Sequence, residues 1–209
     1  PNGVDYKVFH PPAHGEGNGL RQELKLSNET TLIGVTSRID AQKGQRELIK
    51  AAEKIVADHP HCHFALVGQQ NELSQKLESQ VADSGLNGHV HFLGFRKDIP
   101  EILRGLDIFV MPSYAENFGN VLLEAMATRL PCVATESGGT PDIITHNETG
   151  ILVPPKSVNP LADALIRLVQ DPELRSMLRQ KAFAKAQQEY DSRQVFAKIE
   201  QLSHSSNLL

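Results

Sequence analysis

DIFVMPSYAENFGNVLLEAMA, residues 107–127, carries the pattern from which the rest of the chain can be read. Ile108 to Met111 is an unbroken apolar run that stops at Pro112. It is too short for a buried helix and the right length for a strand covered on both faces. The polar segment YAENFG follows, with Gly119 at its end to make the turn, and a helix begins near Asn120. Strand, loop and helix in that order are the repeating half of a βαβ unit.

The same alternation runs outward in both directions. Short apolar runs recur at TLIGVTS, HFALVG, HVHFLG, PCVAT and GILVPP, with helical patterns between them at GQRELIKAAEKIVADH, NELSQKLESQVADSG, DIPEILRGL and TPDIITH. Near-continuous apolar strands separated by helices predict an α/β fold, a Rossmann-like, doubly wound parallel sheet of about six strands with helices on both faces. Further helices are expected at NPLADALIRLVQ, DPELRSMLRQKAFAKAQQEY and SRQVFAKIEQLSH. The expected division is a linker with a lead-in helix, GLRQELKL, over 1–30, the Rossmann-like domain over 31–190, and a C-terminal helix over 191–209.

Composition excludes several classes. The 209 residues are 40% apolar, enough for one large core, and no apolar run is long enough to span a bilayer. The net charge of −4 argues against a nucleic-acid partner. The first residues lack the basic and apolar regions of a signal peptide, and the chain reads as a piece of something longer. Cys62 and Cys132 each begin an apolar run and read as reduced core thiols, in keeping with a cytoplasmic setting.

In an open α/β sheet the ligand sits beyond the carboxyl ends of the strands. Those ends carry Ser37-Arg38, Gly68-Gln69, Gly94-Phe95-Arg96, Pro112-Ser113-Tyr114 and Thr135 to Gly139. No GxGxxG follows the first strand, which disfavours a nicotinamide dinucleotide, and no GxxxxGK[ST] is present. Arg38 and Lys43 precede a helix beginning near Gly44, where cations oppose the helix dipole unless a bound anion offsets them; the plain alternative is two solvated surface cations. Glu116 precedes the next helix and Glu124 lies about one turn inside it, among Leu122, Leu123, Ala125 and Met126. A carboxylate there is exposed, paired or used, and a pair of vicinal sugar hydroxyls suits its two oxygens. The N–H groups of Phe118, Gly119 and Asn120 are placed to meet a phosphate or a sugar oxygen. In SGGTPDII, residues 137–144, the N–H groups of Gly139 and Thr140 are further candidates, although a tight strand-to-helix connection needs glycine in any case. HPHCHF, residues 59–64, puts His61 and His63 on one strand face and Cys62 on the other, but its spacing matches no structural zinc pattern. No Asp-x-Asp pair is present to hold a metal–diphosphate complex.

Taken together, PNGVD, SRIDAQKG, FALVG, VHFLGF, DIFVMPS, ENFGNVLLEAMA and GGTPDIITHNETGILVPP, in this order, resemble the C-terminal half of retaining glycosyltransferases of the GT-B fold, the group 1 or family 4 enzymes. The likeness covers nearly the whole chain. It implies a nucleoside-diphosphate sugar of UDP, GDP or ADP type as donor, and no cofactor or metal. Arg38 and Lys43 would hold the diphosphate, Glu124 the ribose, Glu116 with Asn117, Phe118, Gly119 and Asn120 the donor sugar, and the backbone near Phe95 and Arg96 the base. Gly139 and Thr140 would close the donor site. The acceptor, a glycolipid, lipopolysaccharide-type or other oligosaccharide, would be held by an N-terminal domain, and any membrane contact, peripheral on the inner face, would come through that half. The C-terminal helix would return to the same domain and leave Val195 and Phe196 exposed here. Four positions depart from the family pattern: Ser37 and Asn117 where Gly is common, Arg129 where Gly usually ends the helix, and Asp142 in place of Glu. A nucleotide-sugar-binding module without catalysis and a sugar-nucleotide epimerase-like protein are the alternatives.

Overall fold

The computed structural model describes residues 3–196. Six strands, β1 (Thr31–Thr36), β2 (Cys62–Val67), β3 (Val90–Gly94), β4 (Ile108–Met111), β5 (Cys132–Thr135) and β6 (Ile151–Val153), form one parallel sheet in the order β3-β2-β1-β4-β5-β6. The helices are α1 (Asn18–Glu23), α2 (Gln45–Asp58), α3 (Glu72–Asp83), α4 (Ile99–Gly105), α5 (Asn120–Ala127), α6 (Thr140–Ile143), α7 (Val158–Gln170) and α8 (Pro172–Glu189).

The period of two along each strand divides its side chains between two helix layers. Ile33, Val35, Phe64, Leu66, Ile108 and Val110 point to one face and bury Leu48 and Ile49 of α2 with Leu161 and Leu165 of α7. Their neighbours Leu32, Ala65, Phe109 and Met111 point to the other, against Leu103 of α4, Leu122 and Leu123 of α5, and Ala182 of α8. This two-sided burial is why the strands read as continuous apolar runs: each buried Leu or Phe contributes about 1.5–3 kcal/mol relative to leaving it exposed, and a polar residue on either face would lose that. Cys62 and Cys132 are free thiols inside the two cores.

Strand order reverses between β1 and β4. The chain leaves β1 toward α2 on one face and leaves β4 toward α5 on the other, which opens a crevice between the two loops at the carboxyl edge.

Residues near the N-terminus dock on the domain rather than hanging free. Val4 donates its N–H to the Tyr190 carbonyl at 2.8 Å and accepts from Ser192 at 3.0 Å, and Leu20 of α1 is buried. At the other end one expectation is corrected in half. Val195 is buried, while Phe196 is 66% exposed. Successive residues of a helical turn point about 100° apart, and here that turn carries Val195 under cover and Phe196 outward. Residues 197–209 of the expected C-terminal helix lie outside the described residues.

The end of α5 shows what the Arg129 departure entails. Leu130 N–H reaches the Ala125 carbonyl and Arg129 N–H the Met126 carbonyl, both at 3.0 Å, the bond pair of a Schellman turn. Arg129 itself holds φ 62°. An arginine adopts the left-handed conformation that glycine would adopt more easily, at a cost of about 1–2 kcal/mol. Its guanidinium lies 4.6 Å from the Phe183 ring centre, which offsets part of that cost.

Candidate functional site

The β1 and β4 loops meet because of one glycine. Gly44 sits at φ 70°, and a Cβ there would collide with the Pro112 carbonyl. The contact is held by the Tyr114 N–H to the Gln42 carbonyl at 2.7 Å and by the Tyr114 hydroxyl to Glu47. Gln45 reaches back from the start of α2 to Ser37 Oγ at 2.9 Å and to the Arg38 carbonyl at 2.8 Å. Loop and helix start are thereby one rigid unit.

Across this junction Lys43 Nζ and Glu116 Oε2 form an ion pair at 2.8 Å, with the side chains only 20% and 17% exposed. Two helices start beside it. The N-caps of α2 and α5 are Gly44 and Gly119, both left-handed and neither with a side-chain cap. Among the described residues only α3 and α8 are capped by side chains, Asn71 and Asp171; α1, α4, α6 and α7 share the open start. An uncapped N-terminus keeps unsatisfied N–H groups and partial positive charge, and Lys43 adds a full charge to the start of α2. In this conformation Glu116 supplies the counter-charge.

Glu116 is in turn seated on the β5–α6 loop. The Gly139 N–H donates to the Glu116 carbonyl at 3.2 Å and the Thr140 N–H donates to the Ser137 carbonyl at 3.2 Å. Gly138, at φ 53°, lies so close that a Cβ would collide with the same Glu116 carbonyl. The N–H groups of Gly139 and Thr140, read as ligand-facing, are committed here within the chain: Gly139 holds the Glu116 carbonyl, while Thr140 holds its own loop through Ser137 and Thr135. On the β4–α5 loop Asn117 is exposed, and Phe118 packs edge-on to Tyr190 with ring centres 6.1 Å apart.

Glu124 faces a cavity of about 400 Å³ shared with Ser37, Arg38, Val67, Phe95 and Val121. Burial against these largely apolar neighbours pushes its carboxyl up to about 7. Arg38 brings its charge to the same cavity, without an ion-pair partner among the described residues. Phe95 is 67% exposed at the rim and offers an aromatic face. The Arg96 guanidinium is fixed by Asp98 at 2.7 Å and Glu23 at 2.8 Å, so near the cavity it offers backbone rather than a free cation. Glu124 and Asn120 also border a second hollow of about 530 Å³ beside Val4, Phe9 and Phe196.

Two features escaped the sequence reading. Lys156, just past β6, lies 5.1 Å from the Tyr114 ring centre and brings another cation to this edge. His63 does not pair with His61 but stacks against His91 across the strands, Nδ1 to Nε2 at 3.1 Å, with His89 beside it. Only the β2–β3 register, which sets Phe64 opposite Val90, brings these rings together. Burial first, then the charges of His89 and His91, lower His63 to about 4. Among the described residues no group of three or more His, Cys, Asp or Glu is placed to hold a metal, and no helix is long and apolar enough to cross a membrane.

Comparison with known proteins matches this architecture. The family model described as glycosyl transferases group 1 covers residues 18–185. The chain is 34% identical over 184 residues to D-inositol 3-phosphate glycosyltransferase of Corynebacterium jeikeium, covering 84% of this chain and 44% of that protein. It superposes with a TM-score of 0.91 on the Anabaena protein Alr3699/HepE solved in complex with UDP, at 29% identity, covering 97% of this chain and 56% of the other. It also superposes, with a TM-score of 0.82 and 34% identity, on the C-terminal domain of the group 1 protein LpcC from Francisella tularensis, covering 90% of this chain and 99% of that one. The chain spans about half the length of the curated relatives it matches. With the match extending over most of its length, the chain belongs to the group 1 glycosyltransferase family.

Proposed function

We propose that the chain is the donor-binding half of a retaining glycosyltransferase that moves a sugar from a nucleoside diphosphate to a glycan or lipid acceptor. The observation that carries this reading is the Lys43–Glu116 pair at 2.8 Å, set between two helix N-termini that lack side-chain caps at the point where strand order reverses. A diphosphate entering there would take Lys43 from Glu116, satisfy the N–H groups at the start of α2 and α5, and leave the Glu116 carboxylate free for sugar hydroxyls. Arg38 and Lys43 would then offset the charge that grows on the departing diphosphate, by fixed cations rather than a metal. Glu124 would accept from both ribose hydroxyls, and the base would lie over Val67 and against Phe95. The acceptor would attack on the face the diphosphate leaves, which retains the anomeric configuration. Acceptor recognition, and any contact with a membrane surface, fall to the N-terminal half that the matched relatives carry, and the chemistry belongs in the cytoplasm.

The test is calorimetric titration of the chain with UDP, GDP and ADP, followed by transfer from the preferred donor by the full-length protein. Saturable binding of one nucleotide, and a product whose anomeric proton shows the donor's configuration by NMR, support the reading. Failure of the full-length protein to bind any of the three overturns it, and an inverted product overturns the retaining step. Nucleotide binding without transfer to any acceptor would favour the non-catalytic module.

A further inference from the structure

The opposite edge of the sheet holds a second cavity of about 400 Å³. Its lining includes Asp107 and Pro131, each immediately before a strand, so it opens at the amino ends of β4 and β5. At about 3.3 Å per residue, strands of four residues put roughly 13 Å or more between it and the donor crevice. Four arginines converge on it: Arg104 from α4, Arg129 from the end of α5, and Arg175 and Arg179 one turn apart on α8.

These charges are unequally matched. Arg104 is paired with Glu101 at 2.6 Å and lies 3.7 Å from Glu16, and Asp107 is paired with Arg21. Arg129, Arg175 and Arg179 have neither a carboxylate in ion-pair range nor a side-chain hydrogen bond among the described residues. Three unmatched guanidinium groups on one concave surface repel one another, and the low-dielectric wall behind them focuses their field. That concentration occurs in a chain whose net charge is −4. The buried Arg104 guanidinium is taken within the chain, its Nε facing Glu16 at 3.7 Å and its amino groups bonded to Glu101 at 2.6 Å and to the Val8 carbonyl at 3.3 Å, so the free charge comes from the other three. Arg129 reaches the cavity from the left-handed end of α5 with its guanidinium over the Phe183 ring, a contact that leaves its charge without a counter-ion.

We infer that this cavity is an anion site for a phosphate-bearing group, a phosphomonoester or a diphosphate, distinct from the donor site. Planar guanidinium forks match phosphate oxygens two at a time, and the volume admits a diphosphate or a phosphorylated headgroup. The phosphate has two possible sources, a soluble metabolite or the headgroup of an anionic lipid.

The test begins with a chain carrying Arg38→Ala and Lys43→Ala, which removes the donor-site cations, titrated with inorganic pyrophosphate in a calorimeter. The same chain with Arg175→Ala and Arg179→Ala added is the comparison. Both positions are on a helix surface where Ala is well tolerated, and circular dichroism checks the fold. The expected result is one saturable site, weakened about tenfold or more by the added pair. Arg175→Lys with Arg179→Lys, which keeps the charge and loses the fork, is expected to fall between. A parallel arm sediments the chain with phosphatidylcholine vesicles containing phosphatidylglycerol. Vesicle association that needs the arginine pair and is displaced by pyrophosphate assigns the lipid headgroup, and pyrophosphate binding without vesicle association assigns the soluble phosphate. Binding that is unaffected by the alanine pair, binding kept in full by the lysine pair, or no binding in either arm overturns the site.

Discussion

Replacing Glu124 by Gln separates the folding role of this side chain from its proposed binding role, because the two move in opposite directions. In the folded chain burial holds the Glu124 carboxyl at about 7, against 4.5 ordinarily. At 1.36 kcal/mol for each pH step, keeping it ionised inside the fold costs about 3 kcal/mol. The side chain retains some contact with solvent, which leaves about 1–2 kcal/mol. The sign follows from the protons bound. Below about 4.5 both folded and unfolded chains hold the proton and no penalty exists. Between 4.5 and 7 the unfolded chain has released it while the folded chain has not, so stability falls as pH rises, and the full penalty is present above 7. Glu124→Gln is therefore expected to unfold at higher denaturant and about 3–6 °C higher at pH 8, and to match the parent near pH 4.5. Nucleoside diphosphate binding should move the other way: at pH 8 the variant loses charge-assisted bonds to the ribose, about 1.5–3 kcal/mol. Paired denaturation and calorimetry at pH 5 and pH 8 read both effects. A variant no more stable than the parent at pH 8, or stabilised equally at both pH values, would refute the burial argument. Unchanged nucleotide affinity would refute the ribose assignment.

Three other expectations can be checked on the same chain. Lys43→Ala should weaken nucleoside diphosphate binding by about 1–3 kcal/mol in calorimetry, and unchanged affinity would remove Lys43 from the diphosphate site. Arg129→Gly should be more stable than Arg129→Ala by about 0.5–1 kcal/mol in urea denaturation, since both lose the Phe183 contact and only Ala keeps the left-handed strain, partly offset by glycine's chain entropy. If Ala proves the more stable, the turn is not strained. Stability should also fall as pH drops from about 6.5 toward 4, because the unfolded chain protonates His63 while the folded chain, which lowers it to about 4, does not. His63→Gln should flatten that part of the urea-midpoint profile, and a profile unchanged by the substitution would exclude His63 as its source.

The fold was legible because burial on both faces writes itself into consecutive residues. IFVM, 108–111, needs no partner to be read as a buried strand, and the structure shows it covered on both sides. What escaped depends on register or on contact between distant loops. Nothing local pairs His63 with His91, or sets Lys156 over the Tyr114 ring. Nor does the sequence alone reveal that the Gly139 N–H is taken by the Glu116 carbonyl, because SGGTP read in isolation offers its amides equally to a ligand or to a neighbouring loop. Val195 departed from the expectation while Phe196 met it, because the N-terminal segment that bridges Asp191 through Val4 lies far away in sequence and nothing local shows that the neighbouring Val195 is covered.

The treatment of helix starts joins these observations. Of the eight helices among the described residues only α3 and α8 have a side-chain cap, from Asn71 and Asp171. Gly44 and Gly119 leave theirs without a side-chain cap, although a polar side chain at either position would ordinarily contribute about 1 kcal/mol. At Gly44 sterics forbid such a side chain, because the β4 loop presses against that atom. At Gly119 the space is tight rather than closed, with the Met111 methyl 3.3 Å from where a Cβ would lie, yet φ is 89°. The same backbone turn that removes the cap brings Glu116 within 2.8 Å of Lys43. The starts of α1, α4, α6 and α7 also lack side-chain caps, and what sets these two apart is the largely buried ion pair beside them. A fold that exchanges that carboxylate for a diphosphate gains a site in which charge and N–H groups are already aligned before the ligand arrives.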